Sequence, residues 1–510
     1  MKKAVWWMKR DFRITDNECL FEAVQHAEAV LPFFCWEHDV LNEGDYSSFH
    51  LQAQWEGLTG VCQSLSNRGI ESRVVSGDIV EQLDLLFKLF PFDVLYSHQE
   101  TGNLVTFQRD QNVQKWCRKQ DVKWVEMNPS SVMRGGDADR RRLKLRQADY
   151  RKQEPLPIPD FSHLEPLVPG VANQPPSWKE VISFVPKFKG RPLNPSLTKV
   201  NEKSAHATLT SFLYERGIGY SGGISSPNTA FVHGSRLSSH LAWGTLSLRT
   251  VFAHLDQRRL EVKDCQDRSH WLRSLRAFES RLFWRDHFIQ RLEAFPVMEK
   301  KPLNSAYADL KYEDDPEILN AWIHGRTGYP MVDACMRCLQ DNGFLNFRMR
   351  AMVVSFACYG LHLSWRTIHE PLARLFHDYE PGIHLSQLQM QAGVIGFNAI
   401  RVYSPTKQFL DHDPNGVFVH RWVKELRGRT PAEIAHAEEL SLDGYTPKVI
   451  ILKDRAKEMK SRVFEIRKSV TGKKITDEVL KKHGSRKPTA ARKKKTKKNS
   501  EGQMTLFKTL

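Results

Sequence analysis

Residues 329–343, YPMVDACMRCLQDNG, and 347–361, FRMRAMVVSFACYGL, place apolar side chains three and four positions apart. That spacing predicts two amphipathic helices with their apolar faces turned inward. The first run carries a Cys-x-x-Cys pair, Cys335 and Cys338. No second close pair completes a four-ligand set, so the pair reads as helix packing and no metal is expected. What matters in the stretch is the turn Gly325-Arg326-Thr327-Gly328-Tyr329-Pro330 and the helix behind it.

The same period extends outward through 205–217, 236–255, 269–295 and 316–325, which makes residues 204–470 an all-α domain. Residues 1–135 read differently. Short apolar runs at 4–8, 29–36, 72–76, 93–98 and 122–127 alternate with amphipathic segments such as 47–69 and 104–120. Alternation of this kind predicts a Rossmann-like, doubly wound parallel α/β sheet with ligands at the carboxyl ends of its strands. Residues 136–203 form the interdomain linker, whose segment 153–178 is dense in proline and lacks a sustained period.

The chain of 510 residues carries a formal net charge of +16. Between Lys481 and Lys498 lie ten Lys or Arg and no acid, leaving about six excess positives in the first 480 residues. Residues 471–510 are therefore expected to be a disordered basic tail, with DNA or RNA as its partner through counterion release. No apolar run approaches the roughly 18 residues of a membrane span, and the start carries charges where a signal peptide has an apolar core. The eight cysteines are scattered, as in a reducing compartment. A cytoplasmic protein is expected, associated with the nucleoid in a bacterium and nuclear in a eukaryote.

Several segments carry chemistry. Ser235, Arg236 and Ser238 stand at a helix start, where free N–H groups and hydroxyls suit a phosphate or simply cap the helix. Trp284 and Arg285 sit together, flanked by Arg281 and Asp286. Arg348 and Arg350 are two apart and point differently; a buried arginine needs a carboxylate, and Asp378 and Glu380 in FHDYEPGIH (376–384) are the candidates, with His384 beside them.

These residues also carry a resemblance. WMKRDFRITDNECLFEA (7–23), GSRLSSHLAWGTLS (234–247), the stretch 321–356, LSWR (363–366) and RVYSPTKQFLDHDPNGVFVHRWVKEL (401–426) resemble the photolyase/cryptochrome family, in the family's order, across roughly residues 1–450. The resemblance implies FAD in the helical domain. Tyr220 and the segment Gly234, Ser235, Arg236, Leu237 and Ser238 would contact its phosphates, Arg350 would pair with Asp378 beside the isoalloxazine, and Asp378 and Glu380 would bind the flavin and ribose side. Trp284 would stack on a UV-induced lesion in DNA, and Arg281, Arg285 and Arg348 would contact DNA or lesion. An antenna chromophore of folate or deazaflavin type is implied near HQETGN (98–103). The activity implied is blue-light-driven repair of pyrimidine lesions, with a cryptochrome photoreceptor as the alternative.

The resemblance is not complete. Arg281 stands where cyclobutane-dimer repair members usually carry Glu, and Asn346-Phe347 where they usually carry Asn, often after His. The position facing flavin N5, usually Asn or Asp, falls on His384, which is expected to donate a hydrogen bond and to respond to pH near neutrality. In the photoreduction relay Trp365 matches the middle member and Tyr312 the distal one, but the proximal position falls on Leu388, requiring a detour through Trp284 or Phe344. Finally, Gln503-Met504-Thr505-Leu506-Phe507 resembles a sliding-clamp-binding peptide, with Gln503, Leu506 and Phe507 as its anchors.

Overall fold

A computed structural model describes residues 2–438 and 442–484. Five strands, β1 (Lys3–Trp7), β2 (Ala29–Glu37), β3 (Arg73–Gly77), β4 (Val94–His98) and β5 (Lys123–Met127), form one sheet in the order β3-β2-β1-β4-β5. Every pairing is parallel. Helices Glu18–His26 and Ser48–Ser66 cover one face, packing on Ala4, Trp6, Phe34 and Trp36. Helices Ile79–Leu89 and Leu104–Lys119 cover the other, on Val5, Trp7, Leu31 and Leu95. The expected doubly wound sheet is present. Its strand order reverses between β1 and β4, which places Lys9, Arg10, Asp11 and Glu100 at the carboxyl-end crevice of the switch point.

The connection is more than a surface strand of chain. Helix Arg140–Tyr150 inserts Tyr150 into the core of the helical domain, while Val181, Val185 and Phe188 pack under the sheet domain. The apolar side chains among its prolines explain this burial.

Beyond the linker the chain is helical. The 27-residue helix Arg268–Ala294 lies along helix Pro381–Gln391. Gly382 permits the approach, since a Cβ there would lie 2.6 Å from the Ile289 Cα. Cys335 and Cys338 are fully buried in the large apolar cluster with Trp322, Trp365 and Phe356, as packing requires.

Two expectations change. The run 236–255 is not one helix: Ser238–Ala242 ends, Gly244 turns with φ +66°, and Leu248–Glu261 begins behind a Ser247 cap. A side chain at Gly244 would collide with the Arg10 carbonyl, so contact between the domains breaks the helix. The tail does not start at residue 471 without structure. Helix Val470–His483 buries Val479 and His483 before the described chain ends at Gly484. Most of the basic run and the Gln503, Leu506 and Phe507 peptide lie outside the described residues.

Candidate functional site

The predicted acid partner of Arg350 is where the reading placed it. Helix Phe347–Ser355 presents Arg350, whose Nη1 and Nη2 donate to Asp378 Oδ1 and Oδ2 at 3.0 and 2.8 Å. Its Nε donates to the Leu345 carbonyl, and its guanidinium lies 4.1 Å from the Phe376 ring centre. Burial alone would raise the Asp378 carboxyl, but Arg350 and the Ser238 hydroxyl overcome it and hold the group below its usual range. Ser238, Arg350 and Asp378 thus form one cluster. Glu380 lies next to it, buried, with Arg285 Nη2 at 3.9 Å from Oε2. Burial raises its carboxyl against the pull of Arg10 and Arg285.

The segment Gly234 to Leu237 is shaped by a residue the sequence reading missed. Arg216 donates to the carbonyls of Gly234 and Ser235, and Ser235 Oγ accepts from the Leu237 amide at 3.5 Å. Arg236 is held at φ +61° with its guanidinium 3.9 Å from the Phe344 ring centre. Tyr220 is buried against Phe212 and Phe278; burial raises its phenol, and Arg281 nearby offsets part of that rise. Arg281 itself is exposed.

Trp284 is half-buried, stacked on Phe288 at 5.5 Å and edge-on to His287 at 5.4 Å. Arg348 stands apart from Arg350, near His412, whose charged form burial and then Arg348 disfavour, and Phe347 is exposed. Trp365 and Leu388 are buried in one apolar cluster, with Tyr312 packed against it. His384 differs from its expected behaviour. Burial, reinforced by His369 with ring centres 5.1 Å apart, pushes it well below the usual histidine range, so it is neutral rather than titrating near pH 7.

The residues fit a large polar ligand. Arg236 Nη1, Asn346 Oδ1, His377 Nε2, Glu380 Oε1 and His384 Nε2 are buried with no partner in the protein. Each such atom costs about 1–3 kcal/mol unless something bonds to it. Guanidinium and imidazole groups match phosphate and flavin acceptors, and Glu380 matches hydroxyl donors, so FAD answers this donor and acceptor set. Sequence reasoning also missed Arg10, Asp45, His50, His369 and His377. Only the WMKRDFR motif pointed toward Arg10; the others carried no local signal.

At the switch point the sheet domain holds a second concentration of charge. Arg109 reaches Glu37 at 3.1 Å, Glu100 at 2.7 Å and Asp110 at 2.8 Å. Lys9 lies 3.5 Å from Asp110 and 3.7 Å from Glu126, and Arg134 bridges Asp110 and Glu126. Within HQETGN, His98 bonds Asp11 at 2.8 Å, and Asn103 bonds Asp45 at 3.3 Å and caps the next helix. The crevice is lined by Lys9, Arg10, Trp36, Glu37, Glu100 and Arg109.

Comparison with known proteins agrees with this architecture. Residues 4–146 match the family model "DNA photolyase", and residues 278–465 match "FAD binding domain of DNA photolyase". The chain belongs to the photolyase/cryptochrome family. It is 34% identical over 203 residues to a deoxyribodipyrimidine photo-lyase of Thermus thermophilus, covering 39% of this chain and 45% of that protein. With a cryptochrome DASH of Idiomarina loihiensis it shares 26% identity over 445 residues, 82% of this chain and 92% of the other. An archaeal photolyase structure from Sulfolobus tokodaii, described with two FAD molecules, superposes with a TM-score of 0.76 at 22% identity, over 91% of this chain and 100% of that one. Photolyases and cryptochromes thus both stand among the relatives of this family member. No helix among the described residues is long and apolar enough to cross a membrane.

Proposed function

We propose that this chain is an FAD-dependent, blue-light-driven DNA photolyase acting on UV-induced pyrimidine lesions. The observation that carries the flavin reading is the set of buried, unpartnered polar atoms on the segments around the Arg350–Asp378 pair. Arg236 and Ser238 would hold the phosphates of FAD, and Asp378, Glu380 and His384 its polar ring and ribose groups. When bound, FAD supplies light-driven one-electron chemistry. The protein's part is positioning and electrostatics. Arg350 is oriented by two bonds to Asp378, His384 offers a neutral imidazole, and Trp284 presents a half-buried indole on which a flipped base can stack. Arg281, Arg285 and Arg348 supply positive charge for phosphate contacts.

The basic tail supports DNA as partner and a nucleoid or nuclear location, and Gln503, Leu506 and Phe507 would dock on a sliding clamp. One observation favours the second reading, a cryptochrome photoreceptor: Arg281 stands where dimer-repair members usually carry Glu. Oligonucleotides bearing a cyclobutane dimer or a (6-4) photoproduct, incubated with reduced protein in blue light and in the dark, decide between them. Light-dependent loss of one lesion is expected; a flavin-loaded, photochemically active protein that repairs neither would establish the photoreceptor.

A further inference from the structure

Leu388 is 1% exposed and aliphatic, so it cannot give up an electron where the family's relay has its proximal aromatic. Another ring stands beside the Arg350–Asp378 pair. Tyr379 follows Asp378 directly, and its ring centre lies 5.3 Å from that of His384. It stacks on His50 at 5.4 Å and 17°, and His50 continues to Trp243 at 5.8 Å. Its hydroxyl donates to Asp45 Oδ2 at 2.6 Å, with both side chains buried. Asp45 accepts a further bond from Asn103 Nδ2 at 3.3 Å.

We propose that Tyr379 and Asp45 form a proton-coupled electron-donor pair for the flavin, in place of the missing proximal ring. This rests on the reading that the helical domain binds FAD. A phenol that loses an electron becomes strongly acidic, and a buried positive ring would be costly. The hydrogen-bonded carboxylate removes that cost. One electron passes from Tyr379 to light-excited oxidised flavin while the phenolic proton moves from Oη to Asp45 Oδ2, leaving a neutral tyrosyl radical and a neutral carboxylic acid. A thiol reductant in solution then returns one electron to Tyr379, and the proton moves back from Asp45. The partners come from the two domains, 334 positions apart in sequence, so the same bond ties electron supply to domain docking.

The test measures blue-light reduction of flavin in the full chain with a thiol reductant, normalised to bound flavin, with electron paramagnetic resonance of the light-induced radical. The wild type is expected to give a radical whose spectrum narrows when the protein is made with deuterated tyrosine, and a rate that slows in D2O. Tyr379→Phe should lower the rate about tenfold or more and remove the radical. Asp45→Asn should slow it severalfold and erase the solvent isotope effect, a change that a merely structural bond would not produce. A radical insensitive to deuterated tyrosine, or an unchanged rate in Tyr379→Phe, overturns the proposal while leaving FAD binding intact. Purified protein without flavin overturns both readings.

Discussion

Arg10, just beyond β1, donates from Nη2 to the carbonyl of Tyr379 at 2.7 Å and from Nε to the carbonyl of Ala242 at 2.9 Å. Its guanidinium also lies 4.5 Å from the Trp243 ring centre. The sheet domain therefore holds in place the backbone between Asp378 and Glu380. Replacing Arg10 by Ala removes two bonds to a charged donor, each worth about 1.5–3 kcal/mol. The variant is expected to unfold at lower denaturant and to lose flavin on gel filtration, whereas a surface change such as Lys88→Ala should do neither. Denaturant titration and flavin absorbance check this.

Asp378→Ala leaves Arg350 without its carboxylate. Because the Arg350 side chain is 26% exposed, water makes good part of the loss, and the expected destabilisation is about 2 kcal/mol rather than that of a fully buried pair. Flavin should be absent from the purified variant, read by absorbance after denaturation.

Acid should unfold the protein steeply. Burial holds His50, His240 and His483 at about 4 and His287 and His377 at about 3. The unfolded chain binds protons at these five sites from about pH 6.5 downward and the folded chain does not, so stability is intact above that pH and falls as pH drops toward 4. At pH 5 each site favours unfolding by about 2 kcal/mol. Glu37 acts in the opposite sense: burial raises it to about 7, so the folded chain keeps a proton that the unfolded chain loses. Unfolding at pH 5 should take up about four protons from this set, measurable from melting enthalpies in buffers of different ionisation heat.

Because Lys9, Glu37, Glu100 and Arg109 line the switch-point crevice and Arg109 pairs with both acids, the protein should carry one flavin and no second chromophore in that place. Reconstitution with a reduced folate or a deazaflavin should leave the excitation spectrum of flavin reduction unchanged. A new excitation band that quenches on flavin binding would sink this expectation.

Periodicity and composition made the domain order, the strands of the sheet, the helical character of residues 204–470 and the basic run legible from the sequence alone, because these depend on neighbours within a few positions. The Arg350–Asp378 pair was legible too, since a buried arginine demands an acid and the chain offers few near flavin-like segments. Tertiary structure decided the rest. Arg10 meets Tyr379 across 369 positions, and Asp45 meets the same residue across 334. The break at Gly244 comes from the Arg10 backbone, and the neutrality of His384 from the burial and histidine neighbours that folding creates. The charge network at the switch point follows from residues at or just beyond the ends of β1, β2 and β4 and on the helix Leu104–Lys119 meeting in one place. Local pattern records which face a residue turns inward; what it finds there depends on segments that only the folded chain brings together.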